Sequence, residues 1–331
     1  MPFPLPPTPQ PAGYDRRRFL ASSALAVAGA TLAGCTTPSA ASASADILDT
    51  HTHFYDPSRP QGVPWPPQDD PVLYRPVYPA EWQALALPLG VTSTVVVEAS
   101  PWVADNAWVL ELADQNPCLV GLVGHLKPGQ PGFAQDLARF AAHPRFRGLR
   151  TGGWNIRLAP DQPEFLRDLE RLAARALALD VLVGPDQLPS VAELALRCPD
   201  LHIVVDHCAN VRVDGKEPPA TWLRGLEAVA RHRNVFMKVS GLVEGTGRTD
   251  GTAPADTSFY RPTLDAIWHT FGQDRVVFGS NWPVSARFAT YATTLGIVRD
   301  YVAALGPSAA RRYFRRNAQN AYRLGHTVSP A

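Results

Sequence analysis

The stretch "DTHTHF" sets two imidazoles, His51 and His53, one residue apart, and far along the chain "VVFGSN" ends an apolar run in an amide, Asn281. In an extended strand alternate side chains share a face, so His51 and His53 stand together while Thr52 points away. Two imidazoles at the end of a buried strand can bind a metal or hold a substrate carbonyl. Other apolar runs also stop at polar residues: Glu98, His125, Arg150, His207, Ser240 with Lys238 behind it, and Asn281. Taken singly, each is what a capped or solvated strand end looks like. Gathered on one rim, they would be desolvated and their pKa values shifted, as catalysis requires. Asp206, adjacent to His207, is expected to face away from it, toward surrounding helices, in a structural hydrogen bond. His143, His202, His232, His269 and His326 are expected at helix or loop positions, as surface or packing residues.

The elements that must position this rim are eight β-type runs: 47–53, 92–99, 118–125, 146–150, 180–184, 201–207, 234–240 and 275–281. Most are nearly continuous apolar stretches, as parallel strands buried on both faces should be. Helix-like segments lie between most of them. In "PEFLRDLERLAARALAL", Leu166, Leu169, Leu172, Ala176 and Leu177 form a stripe at helical spacing, and Pro163 suits a first turn. Eight alternations predict a distorted (β/α)8 TIM barrel in a single domain, residues 46–325, with an open doubly wound sheet as the rival. No G-x-G-x-x-G follows the first run and no P-loop occurs, which removes the usual nucleotide reasons for an open sheet. Two loops should overhang the C-terminal face: residues 57–79, rich in proline and carrying Trp65, Tyr74 and Tyr78, and the Gly-, Thr- and Asp-rich segment 241–257 with Glu244.

Composition narrows the classes. The 331 residues are 45% hydrophobic and 18% charged with a formal net charge of +1, which is globular and gives no basic stripe for nucleic acid. No G-x-S-x-G elbow marks a serine hydrolase. The first residues read as targeting. Arg16-Arg17 followed by Arg18, Phe19 and Leu20 resembles a twin-arginine export motif, and Ala21 to Ala33 is an apolar stretch too short for a permanent membrane helix. Leu32-Ala33-Gly34-Cys35 resembles a lipobox, so residues 1–35 are expected to be a signal peptide, 36–45 a flexible tether and 326–331 a tail. The expected location is the periplasm or cell envelope, with the membrane held through a lipid on Cys35; cleavage within "ASASA" is the alternative. The three later cysteines, Cys118, Cys198 and Cys208, have no metal-type spacing.

As a set, "DTHTHFYDP", "FRGLR", "IVVDHCAN", "FMKVSGLVE" and "FGSNWPV" resemble the amidohydrolase-2 family of the amidohydrolase superfamily, in its sugar-lactonase and pyrone-dicarboxylate-lactonase branch, over about residues 46 to 325. The resemblance implies a hydrolase that opens a lactone or related cyclic ester of a sugar acid or dicarboxylic acid by water attack at the C-terminal rim, using no metal or one divalent ion, Zn2+ first among candidates. It implies catalytic roles for His51, His53, His207 and Asn281, with His51, His53 and His207 as metal ligands. Arg150 would clamp a substrate carboxylate or hydroxyl, and Trp65, Glu98, His125, Trp154 and Glu244 would line the substrate site. Strand five, "DVLVG", lacks a metal histidine, which argues against two ions. Asn281 stands where the family usually has an Asp that activates water. An amide cannot accept that proton, though it can orient a water or hydroxyl. Three readings stay open at this stage: a hydrolase whose base is Glu244 or His207, a weak enzyme, or a sugar-acid-binding lipoprotein on the same scaffold. A metal-dependent decarboxylase is a further chemical alternative.

Overall fold

The computed structural model describes residues 46–325, so the expected signal peptide, the tether and the 326–331 tail all lie outside the described residues. Eight parallel strands run in sequence order: β1 (Ile47–Thr52), β2 (Val91–Val97), β3 (Leu119–Gly124), β4 (Phe146–Gly152), β5 (Ala178–Leu182), β6 (His202–Val205), β7 (Val235–Val239) and β8 (Val276–Phe278). Helices return the chain between them: α1 (Pro79–Ala86), α2 (Asp105–Gln115), α3 (Phe133–Ala141), α4 (Gly153–Leu158), α5 (Pro163–Ala174), α6 (Leu188–Arg197), α7 (Ala220–Ala230), α8 (Thr257–Phe271) and α9 (Tyr291–Ala304). This is the expected (β/α)8 barrel, and no helix among the described residues is long and apolar enough to cross a membrane.

The strands are apolar on both faces because each face has something to bury. One set of residues packs against the helices. The other, including Leu48, Val95, Val123, Val204, Phe236 and Val277, fills the barrel together with Ala318, Ala321 and Tyr322 from the chain's end. The barrel is closed at a seam between β1 and the residues just after β8. There Asn281 N donates to His51 O at 2.9 Å, His53 N donates to Trp282 O at 2.9 Å, and Thr50 Oγ1 donates to Phe278 O at 2.6 Å. Asp49 pins the same seam, accepting from the His51 and Ser280 amides on Oδ1 and from the Tyr291 hydroxyl on Oδ2. Gly279 is required here: a Cβ would lie 2.8 Å from His51 Cβ and 3.1 Å from Ser240 Cβ.

Two sequence expectations are corrected. The helix expected through residue 179 ends at Ala174. Ala176 takes a left-handed conformation (φ 56°) and turns the chain into β5 at Ala178, so Ala176 and Leu177 are not part of the helical stripe. His202 is neither on a helix nor in a loop. It opens β6, where its ring packs on Phe236 with Nδ1 3.2 Å from Ala321 O, a packing role at the closed end of the barrel.

The barrel also contains a buried ammonium. Lys238 Nζ on β7 lies 2.5 Å from Asp180 Oδ2 on β5 and 2.8 Å from Asp206 Oδ1 after β6, with all three side chains fully buried. Tyr322 OH donates to the same Asp180 oxygen at 2.9 Å. Burial pushes the Asp180 carboxyl up to about 7 against the attraction of Lys238. Burial acts in the same direction on Asp206, but Lys238 and His51 outweigh it and hold that carboxyl well below its ordinary value. Removing one member of such a group strands the others unpaired in low dielectric. Lys238→Met is therefore expected to lower unfolding free energy by about 3–5 kcal/mol, read from the urea midpoint; a shift under 1 kcal/mol would show that the carboxylates do not depend on the lysine.

Candidate active site

The strand ends deliver their side chains to one cavity of about 610 Å3, lined by His53, Trp65, Glu98, His125, Arg150, His207 and Asn281 among others. That volume falls in the range of small-molecule sites. His51 lies directly beneath. Its ring centroid is 4.9 Å from that of His53 and 4.4 Å from that of His207. Strand alternation puts His51 and His53 on one side as expected, and β1 closing against β8 sets Asn281 beside them.

His207 reaches the cavity by an irregular route. After β6 four consecutive residues, His207, Cys208, Ala209 and Asn210, have φ between 50° and 55°. None is glycine, and a left-handed residue with a Cβ costs roughly 1–2 kcal/mol. Such strain persists where the surroundings enforce it, commonly at functional sites. Gly241 makes room for this turn, since a Cβ there would sit 2.7 Å from His207 Cβ. The expectation for Asp206 is corrected. Counted from Val204, which fills the barrel, alternation turns Asp206 inward, with Oδ1 3.5 Å from His51 Nδ1, and it is the left-handed turn that brings the next residue, His207, to the cavity as well.

The hydrogen bonds fix how each imidazole can be used. His53 Nδ1 lies 2.9 Å from Val97 O, which can only accept, so Nδ1 carries the ring proton and Nε2 the lone pair. His207 Nδ1 lies 2.9 Å from Ser240 Oγ, which leaves Nε2 to meet a ligand. Lys238 Nζ lies 3.3 Å from His51 Nδ1, and His51 Nε2 is a buried nitrogen with no hydrogen-bond partner among the described residues. All three rings are neutral at physiological pH. Burial lowers His51 well below its ordinary value, helped by Lys238. Burial and then Arg150 bring His53 to about 3, and burial brings His207 to about 4.

The remaining wall is polar on one side and aromatic on the other. Arg150 Nε donates to Glu98 Oε1 at 2.9 Å, and its Nη2 donates to Glu98 O at 2.9 Å. Glu98 thus orients the guanidinium, and Nη1 is the nitrogen left for a ligand. Trp65, at the edge of His53 (5.8 Å between centroids), brings the proline-rich loop over the cavity as expected. His125 is on the wall, its pKa lowered by burial. Trp154 lies in α4, directly after β4. Glu244 begins the turn after β7 and accepts from Asn281 Nδ2 at 2.8 Å, and burial pushes its carboxyl up to about 7.

One arrangement fits a divalent ion: His51, Asp206 and His207 can each offer a ligand atom, all within 4.8 Å of one another. The orphaned His51 Nε2 supports the fit. Binding a metal through Nε2 would move the ring proton to Nδ1, where it faces Asp206 Oδ1 at 3.5 Å, and would end the contact that Nδ1 accepts from Lys238. His53 is not one of the three residues of this cluster; its Nδ1 donates to Val97 O and its Nε2 faces Asn281 Oδ1 at 3.2 Å. The sequence reading did not offer Asp206 as a candidate ligand, and it passed over Asp180 and the pairing of Lys238 with both carboxylates. The available signal was an ionisable residue inside three otherwise apolar runs.

A profile of the Amidohydrolase family matches residues 48–324. The chain belongs to the amidohydrolase family. Among proteins similar to this amidohydrolase is an L-fucono-1,5-lactonase of Burkholderia ambifaria, 31% identical over 288 residues, which are 84% of this chain and 95% of the relative. An L-fucono-1,5-lactonase of Burkholderia multivorans is 28% identical over 76% of this chain and 86% of its own length. A crystal structure of an amidohydrolase from Burkholderia multivorans with bound zinc superposes with a TM-score of 0.76 at 28% identity, covering 85% of this chain and all of that one. Zinc titration of the purified amidohydrolase is expected to load one ion per chain, with affinity reduced at least about tenfold in Asp206→Asn. Two ions per chain, or unchanged affinity in that variant, would rule out the His51–Asp206–His207 set.

Proposed function

We propose that this amidohydrolase opens a lactone of a sugar acid by attack of water at the ring carbonyl. The observation that carries the proposal is the convergence of the neutral imidazoles of His53 and His207, an oriented guanidinium and Asn281 on one cavity of lactone size, with the His51 ring packed against both imidazoles from beneath. The likeness to two L-fucono-1,5-lactonases over most of their length supports it and names the first substrates to try.

The chemistry follows from the donors and acceptors. Ester hydrolysis places negative charge on the carbonyl oxygen, and preorganised donors aimed there lower the barrier. Lys238 donates to His51 Nδ1, which puts that ring's proton on Nε2, the buried nitrogen with no other partner. His51 Nε2–H and His207 then face the oxygen that gains charge. A divalent ion held by His51, Asp206 and His207 would supply the same polarisation as a Lewis acid. Arg150 binds a ring hydroxyl or a carboxylate of the substrate, and its ion pair with Glu98 keeps the head from swinging away. Trp65 gives an apolar face for the ring's carbons. Asn281 and His53 present acceptors toward the attacking water, and His53 Nε2 holds the lone pair that can receive its proton and later return it to the leaving ring oxygen.

The test is kcat/KM on L-fucono-1,5-lactone and a panel of aldonolactones. Asn281→Ala is expected to lower kcat about 10²-fold, the loss typical of one positioned polar group. Trp65→Ala is expected to raise KM about tenfold with kcat nearly unchanged, because the indole contacts substrate and transition state alike. No turnover of any lactone, with a lactone still bound, would replace the enzyme by a sugar-acid-binding protein on the same scaffold.

A further inference from the structure

Asn281 and His53 face each other through atoms that do not complement one another. Asn281 Oδ1 lies 3.2 Å from His53 Nε2. With the ring proton held on Nδ1 by Val97 O, both facing atoms are acceptors. Both residues line the cavity. A half-turn of the amide would cure the mismatch by presenting the NH2 group to Nε2. Glu244 prevents that turn: an ionised carboxylate can only accept, and its Oε1 already takes the Asn281 Nδ2 proton at 2.8 Å. The turned amide would set oxygen against oxygen there. The other carboxylate oxygen, Oε2, is buried with no hydrogen-bond partner among the described residues, so no other contact of the carboxylate competes with Asn281 for it.

We propose that Glu244 is a positioning residue which, when ionised, holds the Asn281 amide so that Oδ1 and His53 Nε2 form a pair of acceptors for the two O–H bonds of the attacking water. When Glu244 takes a proton it becomes a donor. The amide turns, its NH2 closes onto His53 Nε2, and the acceptor pair is gone. This rests on the hydrolytic reading of the site, and it explains how an amide serves at a strand end where the carboxylate is displaced by one residue-to-residue contact. Burial places the Glu244 transition near neutrality, at about 7.

The groups around Glu244 leave it as the one that titrates in this range. From the turn after β6 come His207, neutral above about 4, and the Arg212 guanidinium. Cys208 from the same turn is pushed up to about 12 by burial. Tyr260 on α8 is raised by burial and stays neutral, and the Arg287 guanidinium approaches from after β8. A second cavity of about 500 Å3, lined by Glu244, His207, Arg212 and Arg287 and sharing Asn281 with the first, connects the carboxylate to solvent protons.

The experiment is a pH profile from 5 to 9 of kcat and kcat/KM for the wild type, Glu244→Gln and Arg150→Ala on the best aldonolactone, together with the 15N–1H side-chain amide signal of Asn281 in ligand-free protein. Wild-type kcat is expected to rise about tenfold per pH unit below the Glu244 pKa and to level above it. Glu244→Gln keeps an acceptor for Asn281 but cannot ionise. It is expected to lose the acidic limb and to run about 10- to 100-fold below the wild-type plateau. The Asn281 amide signal is expected to titrate with the same midpoint in the wild type and to be flat in Glu244→Gln. A wild-type limb that persists in Glu244→Gln, or an Asn281 signal that does not move with pH, overturns the proposal. If no lactone is turned over, or if Arg150→Ala leaves kcat/KM unchanged, the hydrolytic reading fails, while the amide titration still decides whether Glu244 orients Asn281.

Discussion

The seam between β1 and the end of β8 is the constraint on which the site depends. The hydrogen bonds from Asn281 N to His51 O and from His53 N to Trp282 O register two strand ends against each other. They decide that His53 and Asn281 meet, and through Asn281 that Glu244 joins them. Gly279 permits the close approach, and Asp49 locks it by accepting from both sides. A barrel of this kind has no free edge, so each strand end is fixed by two neighbours.

The second organising feature is electrostatic. The interior excludes water, so each histidine is driven to its neutral form and keeps one lone pair and one N–H. Each then needs a neighbour to decide which nitrogen holds the proton, and Val97 O supplies that decision for His53 and Lys238 Nζ for His51. Lys238 can stand beside a neutral ring only because Asp180 and Asp206 balance its charge. The buried ion group and the imidazole tautomers are thus one arrangement. Changing the lysine alters the chemistry of His51 as well as the stability of the barrel.

Much of this was legible in the sequence, for physical reasons. Buried parallel strands must be apolar throughout, so the eight runs stood out within two or three residues of their observed bounds, and the polar residues that ended them marked the rim. His51, His53, Arg150, His207 and Asn281 were found this way, and all five meet in the structure. What failed did so where the backbone leaves regular geometry. An outward Asp206 was expected because alternation was counted back from His207; Val204 faces the barrel, so Asp206 does too, and the left-handed turn from His207 to Asn210 is what breaks the alternation. Ala176 ended a helix without the glycine or proline that would have announced it. Pairings across the barrel, such as Lys238 with Asp180 or Glu244 with Asn281, depend on closure and have no signature in local spacing.

The seam also has a consequence for how the molecule is made. His53 and Asn281 are 228 positions apart in the chain, and Asp49 and Tyr291 are 242 apart. Contacts of such long range form late, because the whole intervening chain must be ordered first. Synthesis proceeds from the N-terminus, so the first histidine pair emerges with nothing to close against until β8 has left the ribosome. A nascent chain stopped before Val276 holds seven strands, an open edge at β1 and no reaction site. Function therefore arrives in one step with the last strand, and a truncated product is a protein with an unpaired edge prone to association and no partial activity.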